Sequence, residues 1–240
     1  MIDRFRGRKI RVYEAGGGSL SILPLSSLDH PTISVVDIDE TQLRNNSYAD
    51  VKILGDIQTY SFPPNSFDLV VCKEVIEHLD SPDQAIKRFR DALAPGGILF
   101  IGAPNPASLS GLVTKYSPHW FHVWFYRLVL RRKNAGQPGH APFPTVYHPV
   151  VHPTALVDFC QRLGFSTVYF CEVANWTHLV GQASPVFGRL LNAVVGTLNI
   201  LTLGRRDFRN SDYMVVFEKG PALASGESSG RVGEQRARVA

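Results

Sequence analysis

The chain reads as an α/β protein: a doubly wound, mostly parallel, seven-stranded sheet with helices on both faces. Three observations lead there. Short runs rich in β-branched residues alternate with segments of helical apolar period. The first five runs are almost continuously apolar, as in strands covered on both faces. A glycine-rich bend follows the first run, and carboxylates end the next two.

Strands are predicted over 10–14, 33–37, 51–54, 68–72, 98–101, 167–171 and 213–217. The bend Gly16-Gly17-Gly18 should open toward a helix, which Pro24 would shorten. A better punctuated helix begins at Ser81, a capping residue, with Pro82 and Asp83 in its first turn. Ala85, Ile86, Phe89 and Leu93 share its inner face, and Gly96 is its expected stop. A second helix runs from Pro153, with Leu156, Phe159, Cys160 and Leu163 inward and Gly164 as its stop.

Two insertions break this rhythm, at about 104–150 and 174–209, where connections commonly build a wall or lid above strand ends. In the first, residues 119–133 place Trp120, Phe121, Trp124 and Leu128 on one helical face, with basic residues crowding the end. Pro142-Phe143-Pro144-Thr145 reads as a rigid loop bounding a pocket. In the second, an apolar helix carries only a narrow polar stripe of Arg189, Asn192, Gly196 and Asn199. Such a helix must be buried, pair with a partner or lie at a lipid interface. Residues 1–219 make one domain, and the polar tail 220–240 is expected to be disordered.

Hydrophobic residues make up 44% of the chain and charged residues 19%, values of a globular protein. The net charge is +4 and the pI about 9.0, but part of the excess sits near the ends, at Arg4, Arg6, Arg8, Lys9, Arg231, Arg236 and Arg238. Those read as solvated termini, so pI alone does not indicate nucleic acid. Cys72, Cys160 and Cys171 form no CxxC pair and suggest neither a disulfide framework nor a zinc knuckle. The N-terminus lacks the apolar core of a signal peptide, and no apolar run reaches the roughly 20 residues of a membrane span. A reducing, cytoplasmic setting is expected, with peripheral membrane contact left open.

The residues richest in chemistry begin at Val12-Tyr13-Glu14-Ala15-Gly16-Gly17-Gly18-Ser19. Glycines there let backbone approach a ligand and adopt dihedrals closed to other residues. A nicotinamide or flavin fingerprint would need a third glycine where Ser21 stands. Asp37 ends the second strand about 20 residues on, the place from which a carboxylate reaches ribose hydroxyls. Asp56 follows the third strand and can accept from an adenine amino group. Acids at the carboxyl ends of three successive strands should meet in one crevice.

Together EAGGGS, VVDID, GDI, FDLVVCKEVIEHL and LAPGGILFIGAPNP resemble the ordered motifs of class I S-adenosylmethionine methyltransferases. The branch is the broad one that holds the ubiquinone-biosynthesis O-methyltransferases. The resemblance is close over 12–106 and looser at 152–165 and 213–219. It implies a Rossmann-like fold with S-adenosyl-L-methionine as cofactor. Glu14, Gly16, Gly17 and Gly18 would hold the methionine end, and Asp37, with Ile38 beside it, the ribose. Asp56 and Ile57 would bind the adenine, and Cys72 and Lys73 would line the sulfonium side. Three features depart from the pattern. Leu20 replaces the motif's last glycine, Pro24 interrupts the first helix, and about ten residues precede the first strand where relatives carry a closing helix.

Methyl transfer from a sulfonium is an in-line displacement, so a protein mainly aligns the groups. A hydroxyl nucleophile also needs a base for its proton. Glu74-Val75-Ile76-Glu77-His78 leaves the fourth strand beside the expected methyl group. In a helical turn Glu74 would face both Glu77 and His78. His78 is the candidate base or acceptor contact. The cluster is compatible with a divalent cation, with His148 as a further ligand, but does not require one. ExxEH resembles metal-dependent quinone-precursor enzymes and small-RNA 2′-O-methyltransferases. The expected reaction is methylation of a hydroxyl on a small, lipid-linked or glycan-like acceptor. An RNA 2′-O-methyltransferase is the first alternative, disfavoured because the insertions are apolar and aromatic rather than lysine-rich. A non-catalytic scaffold that kept the fold is the second.

Overall fold

The computed structural model describes residues 2–137, 142, 143, 145, 146, 148–203 and 208–221. The expected disorder of the tail therefore concerns residues that, beyond 221, lie outside the described ones. Seven strands form one sheet: β1 (Arg11–Ala15), β2 (Thr32–Asp37), β3 (Val51–Leu54), β4 (Phe67–Lys73), β5 (Leu93–Pro104), β6 (Phe165–Val173) and β7 (Asp212–Lys219). Their order is β3-β2-β1-β4-β5-β7-β6. The first five run parallel, and β7 is antiparallel to both β5 and β6. The chain starts mid-sheet at β1, winds outward to β3, then returns to β4 on the other side of β1. That reversal opens a crevice at the carboxyl ends of β1 and β4, where ligands bind in sheets of this kind.

Alternation along the inner strands sends side chains into two apolar layers. Tyr13, Ala15, Val70 and Cys72 enter one layer, closed by Ile86 and Phe89 of α2 (Pro82–Ala92) and by Leu156 and Cys160 of α5 (Pro153–Arg162). Val12, Leu69 and Val71 enter the other, covered by Phe5, Leu23 and Leu28 and by Leu43 of the short α1 (Glu40–Asn45). Arg4 clamps the amino-terminal turn to β7 through two bonds of 2.7 Å to Glu218.

Several expectations need correction. Between β1 and β2 there is no α-helix, only a 3-10 turn at Leu25–Ser27. Each glycine costs a helix about 1 kcal/mol against alanine and Pro24 about 3, so three glycines and a proline leave this stretch without helical drive. Ser81 stands at the start of α2 but its side chain makes no capping bond. Its own N–H donates to Gln58 Oε1 at 2.6 Å instead. The helix stops at Ala92, not Gly96, because Pro95 pushes the preceding residue toward extended backbone. The strand then begins early, Leu93 pairing with Phe67 before an irregularity restores the ladder at Leu69 and Ile98. Finally, β3 is not covered on both faces: it is the sheet edge, and Val51 and Leu54 are exposed.

Both insertions are helical. The first supplies α3 (Leu109–Tyr116) and α4 (His119–Leu128), the second the hairpin α6 (Asn175–Ala183) and α7 (Pro185–Leu201). The hairpin closes on glycine: a Cβ on Gly188 would lie 2.6 Å from Gly181 Cα, so any side chain there would push the helices apart. Gly188 and Val195 are the residues that α7 buries. Burial is therefore not the fate of its apolar face. No helix of the described residues is long and apolar enough to cross a membrane.

Phe89 is wholly buried against Tyr13, ring centroids 5.7 Å apart. Phe89→Ala should lower unfolding free energy by about 3–5 kcal/mol in urea titrations followed by circular dichroism. A loss below about 1 kcal/mol would contradict this assignment of the core.

Candidate active site

The glycine bend is shaped by what surrounds it. Gly16 and Gly18 take φ of +67° and +54°, which side chains rarely adopt. A Cβ on Gly16 would fall 2.6 Å from Val75, and one on Gly17 2.7 Å from the Tyr48 hydroxyl. Asp37 grips the bend from the neighbouring strand: Oδ2 accepts from Gly18 N at 2.9 Å and Oδ1 from Asp39 N at 2.8 Å. Asn46 Nδ2 donates to the Gly18 carbonyl at 2.7 Å.

Glu14 is buried beneath the bend. Tyr48 donates to its Oε2 at 2.6 Å and Ser21 to its Oε1. Burial raises its pKa, opposed by the two hydroxyl donors. Each carboxylate oxygen keeps a further lone pair for a ligand. Asp56, past the end of β3, caps its own turn through Gln58 N at 2.8 Å. The parallel register lays Glu14 against Val35, two residues short of Asp37, and Asp37 against Leu54, two residues short of Asp56, so the three acids stand at the carboxyl ends of adjacent strands. Ile57 is buried beside them, whereas Ile38 is 77% exposed at the rim. Leu20, at 80% exposure, points to solvent and does not plug the crevice.

Two assignments look different in three dimensions. The Cys72 side chain is wholly buried in the core, where burial pushes its thiol pKa up, so it does not face the cleft. Lys73 instead reaches Glu74, Nζ to Oε1 at 3.3 Å. Glu74 is not part of a helical turn: it takes φ of +56°, and a 3-10 turn over Ile76–His78 follows. Ser21, Asn46 and Tyr48 were not singled out from sequence. They sit in connections with no motif, and only their hydrogen bonds reveal them.

Beyond the turn lies a cavity of about 710 Å³. Glu74, Glu77, His78 and Asp212 line one side, and Phe121, Phe125 and Tyr126 of α4 line another. Phe143 packs edge-on to the His78 ring, centroids 5.8 Å apart. Val146 N donates to the Glu77 carbonyl at 2.8 Å, so the proline-rich loop is stitched to the turn it borders. Pro144 of that loop lies outside the described residues. The Glu77 side chain is 6% exposed, with Oε1 3.8 Å from His78 Nε2 and Oε2 lacking a hydrogen-bond partner. Burial, and then the nearby Glu74 and Asp212 carboxylates, push its pKa up to about 8 against its own backbone N–H. His148 does not join them: its Nδ1 accepts from Val150 N at 3.2 Å, capping the turn before α5. Among the described residues no three His, Cys, Asp or Glu side chains are grouped to hold a metal ion.

Sheet order, switch-point crevice and glycine bend define a Rossmann-like fold of the kind that carries an adenosyl cofactor. A family model described as a methyltransferase domain matches residues 14–101. That match takes in the glycine bend and Asp37 and Asp56, and with the fold it supports a class I S-adenosylmethionine-dependent methyltransferase. It is 27% identical over 167 residues to a ubiquinone biosynthesis O-methyltransferase of Caulobacter sp. (strain K31), a match covering 61% of this chain and 66% of that protein. A second such protein, from Idiomarina loihiensis, is 28% identical over 43% of this chain and 45% of its own length. Among solved structures, a SAM-dependent methyltransferase from Archaeoglobus fulgidus superposes with a TM-score of 0.56 at 24% identity, covering 91% of this chain and 89% of that one. The [4+2]-cyclase SpnF superposes with a TM-score of 0.55 at 14% identity, covering 92% and 80% respectively. At these identities the solved structures speak for the fold alone.

The raised Glu77 pKa has a consequence for stability. The folded protein holds this proton more tightly than the unfolded chain, whose carboxyl titrates near 4.5. The contribution is complete below that value and is lost as pH rises through about 8. Thermal melts from about pH 6 to 9 should show a declining midpoint, and Glu77→Gln should flatten the decline. Parallel profiles for both proteins would refute the buried, protonated carboxyl.

Proposed function

We propose that this chain transfers the methyl group of S-adenosyl-L-methionine to a hydroxyl of a small acceptor carrying a lipid-linked or glycan-like portion. One observation supports this most. The Glu74–His78 segment leaves β4 at the cofactor crevice and forms a wall of a cavity whose lining also includes Phe121, Phe125, Tyr126 and Phe143.

The crevice fits the cofactor. The bend has no room for a Cβ at Gly16 or Gly17, since Val75 and Tyr48 pack directly against them, so a side chain at either would shift the bend. Glu14 and the bend would hold the methionine end, Asp37 the ribose, and Asp56 with Ile57 the adenine. Ile38 supplies an apolar rim. When bound, the cofactor supplies an activated methyl on a positive sulfur. The residues of this chain do the rest: the aromatic wall orients the acceptor, and α3, α4 and the loop at Phe143 shield the reacting groups from water. His78 takes the hydroxyl proton, with the protonated Glu77 carboxyl 3.8 Å from its ring beneath it.

Asp37→Ala should weaken S-adenosylmethionine binding by at least about a hundredfold in calorimetry, since both a ligand contact and the grip on Gly18 go together. Unchanged affinity would remove the crevice as the cofactor site. His78→Ala should leave that affinity intact and slow turnover by about 10²–10⁴. Wild-type turnover would make His78 structural. The acceptor class is tested with tritiated methyl donor and a total lipid extract. Label should enter the organic phase and survive alkaline hydrolysis, as an ether does and a methyl ester does not. Label confined to RNA would overturn the proposal.

A further inference from the structure

The two helical insertions that wall the cavity each turn a second, apolar face outward. On α4, Trp120, Trp124 and Leu128 follow one another at i, i+4 and i+8, and Trp120 is 69% exposed. The adjoining face of the same helix supplies Phe121, Phe125 and Tyr126 to the cavity, and the Phe121 ring stacks on Trp124 with centroids 5.7 Å apart. On α7, Val186, Leu190 and Val194 form an equivalent exposed ridge, Leu190 at 61%. Its hairpin partner α6 gives Asn175 and Leu179 to the cavity wall. Exposed apolar patches beside a binding cavity mark an interaction surface.

Charge identifies the occupant. Residues 104–150 contain five Lys and Arg and no Asp or Glu; residues 174–209 contain four Arg and one Asp. The rest of the chain then holds 16 basic and 20 acidic residues, so the positive ends are outweighed by acids elsewhere and the two insertions carry the chain to its net positive charge. Arg131, Arg132 and Lys133 are exposed just past the end of α4, and Arg189 lies on α7. We propose that α4 and α7 dock on an anionic lipid surface, bringing to the membrane the cavity that α4 and α6 help to line. Tryptophan with basic neighbours is the side-chain set that settles at headgroup level. The docking is peripheral, since no described helix can span a bilayer. A second copy of the chain fits less well, because a two-fold contact through this face would set its cations against themselves. RNA fits less well too, since the α7 ridge is aliphatic and offers bases nothing to stack on.

The test uses the full chain and cosedimentation with vesicles of phosphatidylcholine alone or with added phosphatidylglycerol. Binding requires neither cofactor nor turnover, so it succeeds or fails independently of the methyl-transfer reading. Binding should need the anionic lipid, fall with salt, and blue-shift tryptophan fluorescence, since Trp120 and Trp124 are two of three tryptophans. Arg131→Gln with Lys133→Gln should lower the partition coefficient roughly fivefold per charge. Trp120→Ser with Trp124→Ser, and Val186→Ser with Leu190→Ser, should each lower it at least about tenfold. Circular dichroism melts and S-adenosylmethionine affinity should match wild type. Binding to neither vesicle overturns the proposal, as does binding that all three variants retain. So does a dimer in sedimentation velocity that the α7 variant dissolves, or displacement from vesicles by short RNA.

Discussion

The grip of Asp37 on the glycine bend is the interaction on which the site depends. The carboxylate ends β2, yet what it holds is backbone that follows β1, through Gly18 N at 2.9 Å. Without a helix after β1, that stretch has no ladder of its own to satisfy its N–H groups or set its path. Asp37, Glu14, Tyr48, Ser21 and Asn46 supply those restraints. A loop that would otherwise be free is thereby fixed from the neighbouring strand and from the connection before β3. The same carboxylates are the ones expected to meet the ligand, so the restraint and the binding function share atoms.

That sharing explains how the crevice works without the usual helix amino-terminus. In many sheets of this order, a helix dipole and its free N–H groups favour the anionic part of a ligand. Here the N–H groups of Gly16 and Gly18 are already given to the Val36 carbonyl and the Asp37 carboxylate, so the bend is held in place from β2. Its acids are partly neutralised by hydroxyl donors rather than by cations. Glu77 extends the same logic to the acceptor side. A carboxyl buried beside two others, in a cavity with aromatic walls, stays protonated near neutrality and can donate where an ionised one cannot.

The insertions link the cavity to its surroundings. Two of the helices involved, α4 at the cavity and α7 as the hairpin partner of α6, also carry an exposed apolar ridge with basic residues near it. Apolar acceptors and a lipid surface would then be met by adjoining faces of the same helical insertions. On α4 the two are linked directly, since the cavity-lining Phe121 stacks on the exposed Trp124.

Much of the fold could be read from sequence because buried strands and amphipathic helices leave periodic signals. All seven strands lie within a few residues of their expected places, and Leu156, Cys160 and Gly164 behave as the pattern of α5 implied. The acids at 14, 37 and 56 were legible because strand ends in a parallel sheet converge by construction. The helix expected after β1 was not legible as missing, since a motif describes relatives and glycine cost is a matter of degree. Tertiary structure alone decided that β3 lies at the edge, that Cys72 faces the core, and that α7 is exposed. Each of these depends on which surface lies opposite, and a one-dimensional pattern records a residue's preference but not its neighbour. Ser21, Asn46 and Tyr48 belong to the same class: their role exists only in the contact between segments distant along the chain.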